Sequence, residues 1–249
     1  MKISIIIVAF NAAHTIGDTL ASVAGQTHPD IEHIVVDGAS TDGTQGVVER
    51  HGEHGAKIIS EPDRGIYDAM NKGLALATGE IIGFLNADDV YAGPDVLMRV
   101  ASVMATEKLD ALYGDAEFVR PDRPDRPVRR YHSEHFHPSR IAWGWMPAHP
   151  ALFLRRELFE RFGGFKTDYR IAGDFELVAR MFHGGTLHYR HLPEVIVRMR
   201  TGGVSTGGWR NTLLLNREVL RACRENGIKT NFLKIVSKYP RKLLEFIRP

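Results

Sequence analysis

The sequence has a single cysteine, Cys223, among 249 residues. One cysteine excludes a disulfide framework and a thiolate zinc site. The net charge is also small, at +2, which excludes a strongly basic nucleic-acid binder. The strongest apolar run near the start, residues 3–10, is far shorter than the roughly 18–20 residues that span a bilayer. We also find no signal-peptide cleavage site, so we expect a cytoplasmic protein.

The composition is that of a soluble globular protein, with 43% hydrophobic and 25% charged residues. Short strand patterns alternate with helix patterns through the first 110 residues. Residues 3–10 are apolar except for Ser4, which is typical of a strand buried on both faces. The sequence therefore predicts an α/β protein whose mostly parallel, twisted sheet carries helices on both faces.

Polar residues follow three of the predicted strands. They are Phe10-Asn11, Asp37-Gly38 and the stretch 86–89 (Asn-Ala-Asp-Asp). Each alone could be a helix cap or a turn. Because the carboxyl ends of parallel strands meet at one edge of a sheet, we expect a shared ligand site there.

The stretch 86–89 offers carboxylate and amide oxygens, which suit Mn²⁺ or Mg²⁺ bound together with substrate phosphates. Alternatively, Asp88 or Asp89 caps the next helix. Asp37 could accept hydrogen bonds from a nucleobase or a ribose. No GxGxxG or GxxxxGK[ST] motif is present, so a nucleotide diphosphate would have to be held by metal and basic side chains.

Asp174 lies between Gly173 and Phe175, and its role stays open at this point. It is either a helix N-cap or a general base supported by a flexible glycine. His149 fits a contact with an acceptor or diphosphate, or a structural role. Gly202-Gly203-Val204-Ser205 fits a lid or a plain turn.

The second half of the chain shows a weaker alternation. The stretch 120–130, RPDRPDRPVRR, predicts an exposed loop because its prolines disfavour a central strand or a helix. Residues 186–192 and 195–199 predict two strands, and residues 209–224 and 228–247 predict helices. The segment 229–249 is basic and amphipathic, so it either binds an anionic membrane or packs on the core or a second subunit.

Several runs together resemble the family 2 inverting glycosyltransferases with the GT-A fold. They are IIIVAFNAAHTIGDTLASVAGQTHPDIEHIVVDGASTDGT, EPDRGIYDAMNKGLALATGEIIGFLNADD, HPALFLRRELFERFGGF and YRIAGDFEL. The resemblance covers roughly residues 1 to 200. It implies a domain over 1–228, with a Rossmann-like nucleotide-sugar-binding half (1–110), an acceptor half (111–228) and the tail 229–249.

The resemblance also assigns roles to particular positions. It implies that Asp88, the last residue of the DxD-like motif, holds Mn²⁺ or Mg²⁺ and that Asp174 is the catalytic base. The residues implied to bind the nucleotide-sugar are Val8, Ala9, Phe10, Asn11, Asp37, Arg64 and Asn86.

The sequence departs from the family pattern at three places. Asp37-Gly38-Ala39-Ser40 keeps one carboxylate of the common D-D-G-S, Asn86 replaces the first aspartate of DxD, and Met70 stands where an arginine is usual. The Q-x-x-R-W signature of processive synthases is missing, which favours transfer of a single sugar.

We therefore expect an enzyme that moves one sugar from a nucleotide-sugar, most simply a UDP-sugar, to a sugar or lipid-linked acceptor in surface polysaccharide or glycolipid synthesis. It would work in the cytoplasm or at the cytoplasmic face of the inner membrane, with no nucleic acid partner. The alternatives are a non-catalytic nucleotide-sugar-binding protein of the same fold and a nucleotidyltransferase.

Overall fold

Strands and helices alternate through the first part of the chain, as the hydrophobic pattern predicts. The computed structural model describes residues 1–51, 56–202 and 208–239. Its strands are β1 (Ile3–Ala9), β2 (Ile31–Asp37), β3 (Lys57–Ser60), β4 (Ile81–Asn86), β5 (Val90–Tyr91), β6 (Ala111–Arg120), β7 (Arg123–Tyr131), β8 (Leu152–Arg155) and β9 (Tyr189–Arg200). Its helices are α1 (Ile16–Ala24), α2 (Thr44–His51), α3 (Ile66–Leu76), α4 (Val96–Thr106), α5 (Arg156–Phe162), α6 (Gly173–Phe182), α7 (Trp209–Glu225) and α8 (Phe232–Val236).

The nine strands of these ranges form one sheet in the order β3-β2-β1-β4-β8-β6-β9-β5, with β7 added to β6. β3, β2, β1 and β4 are mutually parallel, and β6 is parallel to β9. β8 is antiparallel to both β4 and β6, so it joins the two parallel groups. β6 and β9 thus run in the direction of the first four strands, and the sheet is mostly parallel, as predicted.

Helices cover both faces of the sheet. Successive side chains of a strand point to opposite faces, and every residue of β1 is buried. Ile6 and Val8 join a core cluster with α3, α5, α6 and α7. Ile5 and Ile7 join a second cluster with α1 and α4. Burying each such side chain contributes about 1.5–3 kcal/mol, which explains why every residue of this strand except Ser4 is apolar.

Helix α3 lies unusually close to the sheet because of a glycine. A Cβ atom at Gly73 would lie 2.3 Å from Cγ2 of Ile6, so only glycine allows this approach. The contact fixes the height of α3 over β1. It thereby fixes Tyr67, which is buried in the first turn of the helix.

The predicted exposed loop at 120–130 was wrong, because most of it is strand β7. β7 is an edge strand, where the missing N–H of a proline costs no central ladder bond. It pairs antiparallel with β6, and Pro127 lies opposite Val119 at an irregularity of the register. The guanidinium of Arg129 lies 4.3 Å from the ring centroid of Phe118, so the strand also packs through its arginines.

Two other predicted elements differ from the structure. Residues 186–192 and 195–199 are not two strands, because residues from Tyr189 to Arg200 form the single strand β9. A register shift against β6 between Tyr113 and Asp115 accommodates the interruption. The helix predicted over 228–247 is the short α8 in the described part, and residues 240–249 lie outside the described residues.

Candidate active site

The three polar strand ends meet at one edge of the sheet, as predicted. In the register, Ala9 of β1 lies opposite Asp37 of β2, and Val8 lies opposite Asn86 of β4. Asn11 continues from β1 in a left-handed backbone conformation, with φ 49°. Residues distant in sequence therefore form one continuous rim.

Asp37 is buried and holds the turn that follows β2. Its Oδ1 accepts a short hydrogen bond from the hydroxyl of Ser40. Its Oδ2 accepts from the Ser40 N–H at 3.1 Å and from the Ser60 hydroxyl at 2.7 Å. The sequence pattern did not reveal either serine partner. Both carboxylate oxygens thus help to shape the rim.

Asn11 ties the end of β1 to the same turn. Its N–H donates to the Ser40 hydroxyl at 2.7 Å, and its Oδ1 accepts from the Thr41 N–H at 3.0 Å. Phe10, beside it, is 66% exposed. A fixed backbone with an exposed ring at a strand end can stack against a planar ligand.

Asp89 has a structural role, but it is not a helix cap. Helix α4 begins at Val96 and its N-cap residue is Asp95, so the alternative that Asp88 or Asp89 caps the next helix was wrong. Asp89 is buried, and its Oδ2 accepts from Nδ2 of Asn86 at 2.9 Å. Burial, then the adjacent Asp88, raises the pKa of the Asp89 carboxyl well above its usual range.

Asp88 differs from Asp89 because it is partly exposed. Within the described ranges its carboxylate makes no hydrogen bond or ion pair with another residue. Burial raises the pKa of Asp88, and the charge of Arg200 opposes that shift. Arg200 itself is ion-paired with Asp18. No other residue of the described ranges therefore satisfies the Asp88 oxygens, which distinguishes Asp88 from Asp89.

Asp174 is the second residue of α6, and the N-cap residue is Ala172, so Asp174 is not the N-cap. Its Oδ1 accepts from the Phe175 N–H at 2.8 Å and from the Tyr67 hydroxyl at 3.4 Å. Burial raises the pKa of the Asp174 carboxyl, although His149 and these hydrogen bonds oppose the shift. A carboxylate with a raised pKa is suited to accept a proton near neutral pH.

A cluster of rings from Tyr67, Phe84, His149 and Phe165, which we call the aromatic floor, positions Asp174. A Cβ atom at Gly173 would lie 2.7 Å from the Tyr67 ring, so glycine is required for α6 to rest on that ring. Tyr67 stacks on Phe165 with centroids 5.7 Å apart, and Phe165 contacts both Phe84 and His149. The glycine before Asp174 is therefore a packing requirement and not a hinge.

The same floor connects Asp174 to the strand end that carries Asp88. Phe84 and Asn86 point to the same face of β4, and the Phe84 ring stacks on His149 at 5.7 Å. Burial lowers the pKa of His149, and the charge of Asp174 opposes that shift. His149, left open between an acceptor contact and a structural role, packs here against Phe84 and Phe165 as part of the floor.

Glu218 of α7 fixes the loop that precedes Asp174, and the sequence pattern did not reveal it. Its carboxylate accepts three backbone N–H bonds at 2.8 Å, from Arg170, Ile171 and Ala172. Glu218 lies 44 residues after Asp174, so no local sequence pattern indicates the contact and the folded structure was needed to find it.

Arg64 lies at the mouth of a cleft beside the floor. Its side chain is 80% exposed and pairs with Asp68 at 3.2 Å. The cleft, about 340 Å³, lies between residues 64–67 and the loop 167–170. Because Tyr67 lines this cleft and also donates to Asp174, the cleft opens next to the candidate base.

A metal would be bound here with substrate oxygens. No cluster of three or more His, Cys, Asp or Glu side chains suited to a cation occurs in ranges 1–51, 56–202 and 208–239. Asp88 alone still fits, because one or two carboxylates plus a diphosphate suffice for Mg²⁺ or Mn²⁺. The suggested lid at 202–205 lies outside the described residues beyond Gly202.

Comparison with known proteins identifies the class that this fold and rim define. Residues 4–163 match the model of glycosyl transferase family 2. A PGL/p-HBAD biosynthesis glycosyltransferase of Mycobacterium bovis is 33% identical over 222 residues, covering 88% of this chain and 82% of the relative. The chain therefore belongs to glycosyl transferase family 2.

Solved structures show the same fold. Staphylococcus aureus TarS in complex with UDP-GlcNAc superposes with a TM-score of 0.72 at 21% identity, covering 89% of this chain and 66% of TarS 1–349. The mannosyltransferase PcManGT of Pyrobaculum calidifontis, in complex with GDP-Man and Mn²⁺, gives a TM-score of 0.64 at 25% identity, covering 88% of this chain and 64% of that one. The chain thus spans about two thirds of these structures and has the GT-A fold.

None of the helices within the described ranges combines the length and the apolar character needed to cross a bilayer.

Proposed function

We propose that this glycosyltransferase moves a single sugar from a nucleotide-sugar to an acceptor hydroxyl with inversion at the anomeric carbon. The observation that carries the proposal concerns two carboxyls, that of Asp88 just after β4 and that of Asp174 in the first turn of α6. Burial raises the pKa of both Asp88 and Asp174, and neither has an ion-pair partner among the described residues. Perturbed carboxyls at a strand-end cleft are typical of acid–base and metal chemistry.

The nucleotide-sugar would bind along the rim. Phe10 offers an exposed ring for the base, and Asn11 and Asp37 hold the backbone beneath it. The residues proposed to bind it are Val8, Ala9, Phe10, Asn11, Asp37, Arg64 and Asn86. We take a UDP-sugar as the donor; the TarS complex with UDP-GlcNAc supports this choice, and the GDP-Man complex of PcManGT defines the alternative base to test.

Asp88 would hold Mn²⁺ or Mg²⁺ with the diphosphate. When bound, such a cation neutralises charge on the departing nucleoside diphosphate. Asn86, hydrogen-bonded to Asp89, keeps the second aspartate turned inward, so Asp88 alone faces the ligand. The Mn²⁺ present with PcManGT supports this assignment.

Asp174 would take the proton of the acceptor hydroxyl. As that proton moves to a carboxylate oxygen of Asp174, the acceptor oxygen forms a bond to the anomeric carbon. The bond from that carbon to the diphosphate oxygen breaks on the opposite side, and the electron pair leaves with the diphosphate. No covalent enzyme–sugar intermediate is needed. Tyr67 and the loop held by Glu218 keep the carboxylate in place.

The acceptor would be a sugar or a lipid-linked sugar in the synthesis of surface polysaccharide or glycolipid. The biosynthetic role in the printed name of the mycobacterial relative supports this class. The enzyme would act in the cytoplasm or at the cytoplasmic face of the inner membrane.

The proposal is tested by thermal-shift screening of UDP- and GDP-sugars with and without Mn²⁺, followed by transfer assays with the stabilising donor. Product configuration, determined by NMR, would distinguish inversion from retention. Tight binding of a nucleotide-sugar with neither transfer nor hydrolysis would instead support the non-catalytic alternative. Release of diphosphate during nucleotide-sugar formation would support a nucleotidyltransferase.

A further inference from the structure

Helix α8 and the short 3₁₀ helix Pro138–Trp143 pack side by side. The Thr230 hydroxyl donates to the Ala142 carbonyl, and Nζ of Lys238 donates to the Gly144 carbonyl at 3.0 Å. Ile235 is buried between them and the core. The inner side of the described part of the tail, residues 229–239, therefore packs on the core.

The outer side of this pair remains apolar. Leu233 is 77% exposed, Trp143 42% and Phe232 39%. Nζ of Lys234 lies 5.4 Å from the Trp143 ring centroid, which brings the two helices together at the surface. We call Arg140, Trp143, Phe232, Leu233 and Lys234 the aromatic-basic surface. Exposed apolar groups gathered in this way mark a contact site.

The charge of this surface has one sign. Residues 136–156 and 226–244 contain no aspartate or glutamate. Residues 229–249 contain six Lys or Arg and one Glu, a net +5, so residues 1–228 sum to −3 against the total of +2. The positive charge of the protein is thus concentrated in the tail, beside three exposed apolar side chains.

We propose that the aromatic-basic surface docks on an anionic phospholipid bilayer. Tryptophan and lysine together suit the bilayer interface, because the ring enters the headgroup region while the ammonium stays at the phosphates. Each lysine near an anionic leaflet contributes about 1 kcal/mol of attraction. A second copy of the chain fits less well, because pairing through this face would bring like charges together.

The sequence beyond Tyr239 has the same character. It reads PRKLLEFIRP and adds three cations and four large apolar residues. None of the aromatic-basic residues belongs to the proposed donor or base site, so docking can be tested without any sugar substrate.

The test is co-sedimentation of the full chain with vesicles of phosphatidylcholine alone or mixed equally with phosphatidylglycerol. We expect binding to the anionic vesicles only, weakening as salt rises. Leu233→Ser and Lys234→Glu should each lower the partition coefficient about tenfold. Met98→Ser on α4 and Arg120→Glu at the β6–β7 turn remove an exposed apolar group and an exposed cation elsewhere, and both should bind as the wild type does.

Equal binding by the wild type and both surface variants would overturn the proposal, and so would equal binding to neutral vesicles. Sedimentation velocity without vesicles supplies a further check. A dimer that Leu233→Ser dissociates would show that the face joins two copies, which also overturns it. Failure of sugar transfer would leave vesicle binding unchanged, so the two proposals fail separately.

Discussion

Asp174 and Glu176 stand two residues apart on α6, yet their surroundings have opposite effects. Burial raises the pKa of Asp174. Burial would raise the pKa of Glu176 too, but Arg180 and Lys166 outweigh it, and its pKa is lowered. Glu176 is thus neutralised by ion pairs on the side of α6 that faces α7. Asp174, on the side that faces Tyr67, accepts hydrogen bonds but has no ion-pair partner among the described residues.

The same contrast recurs among other carboxylates of the described residues. Carboxylates with a structural role are saturated, as Glu218 is by three N–H groups and Glu225 by Lys166 and Arg221. Asp88 and Asp174 are not saturated by the described residues. Saturated carboxylates stabilise the fold, whereas unsaturated ones cost stability and retain the capacity to bind a cation or a proton.

The largest expected effect comes from Asp174→Asn. The amide keeps the size of the side chain but cannot accept the proton, so transfer should fall by roughly 10² to 10⁴. Binding of the nucleotide-sugar should be unchanged. Transfer rate and donor affinity are to be measured on the same preparation. Asp122→Asn is the matched control, because Asp122 is exposed, pairs with Arg123 and lies outside the cleft. Normal transfer by Asp174→Asn would eliminate Asp174 as the base.

The converse experiment is Glu176→Gln. It removes the charge that pairs with Lys166 and Arg180, but both cations keep other partners, so we expect a loss of about 1.5–3 kcal/mol of unfolding free energy. Transfer per folded molecule should remain normal. Urea unfolding gives the stability, and transfer is assayed at low temperature where the variant is folded. A loss of transfer as large as that of Asp174→Asn would erase the distinction between the two carboxyls.

Asp88→Ala tests the other unsaturated carboxyl. A ligand at a hundredfold excess over its dissociation constant stabilises a protein by about 2.7 kcal/mol, or several degrees in Tm. We expect UDP with Mn²⁺ to protect the wild type in this way and to leave Asp88→Ala unprotected. Asp95→Ala, at the N-cap of α4, serves as the control. Equal protection of both variants would remove Asp88 from the metal site.

The sequence predicted which strand ends meet at the rim, but it did not reveal the long-range contacts that hold Asp174 in place. Asp37, Asn86 and Asp88 follow apolar strands, and parallel pairing alone brings such ends together. Tyr67 and Asp174 are 107 residues apart, and no local pattern indicates their contact. The strand β7 was missed for a related reason: its prolines oppose a strand locally, and only its place at the edge of the sheet permits one.

The smallest effect is expected for Asp88→Asn without ligand, and its test is the sign of the change in Tm. The raised pKa means that the folded state holds the Asp88 proton more tightly than the unfolded state. Its contribution to stability therefore falls as pH rises through the folded-state pKa. Asparagine carries no charge, so the variant should melt a few degrees above the wild type at pH 7, and the difference should vanish in acid. Most substitutions destabilise by about 1 kcal/mol, so this gain is diagnostic.

Asp115→Asn is the control, because Arg130 and His191 already pair with that carboxylate and its loss should lower Tm. A lower Tm for Asp88→Asn at pH 7 would mean that the folded protein stabilises the Asp88 charge, contrary to the contrast between saturated and unsaturated carboxylates.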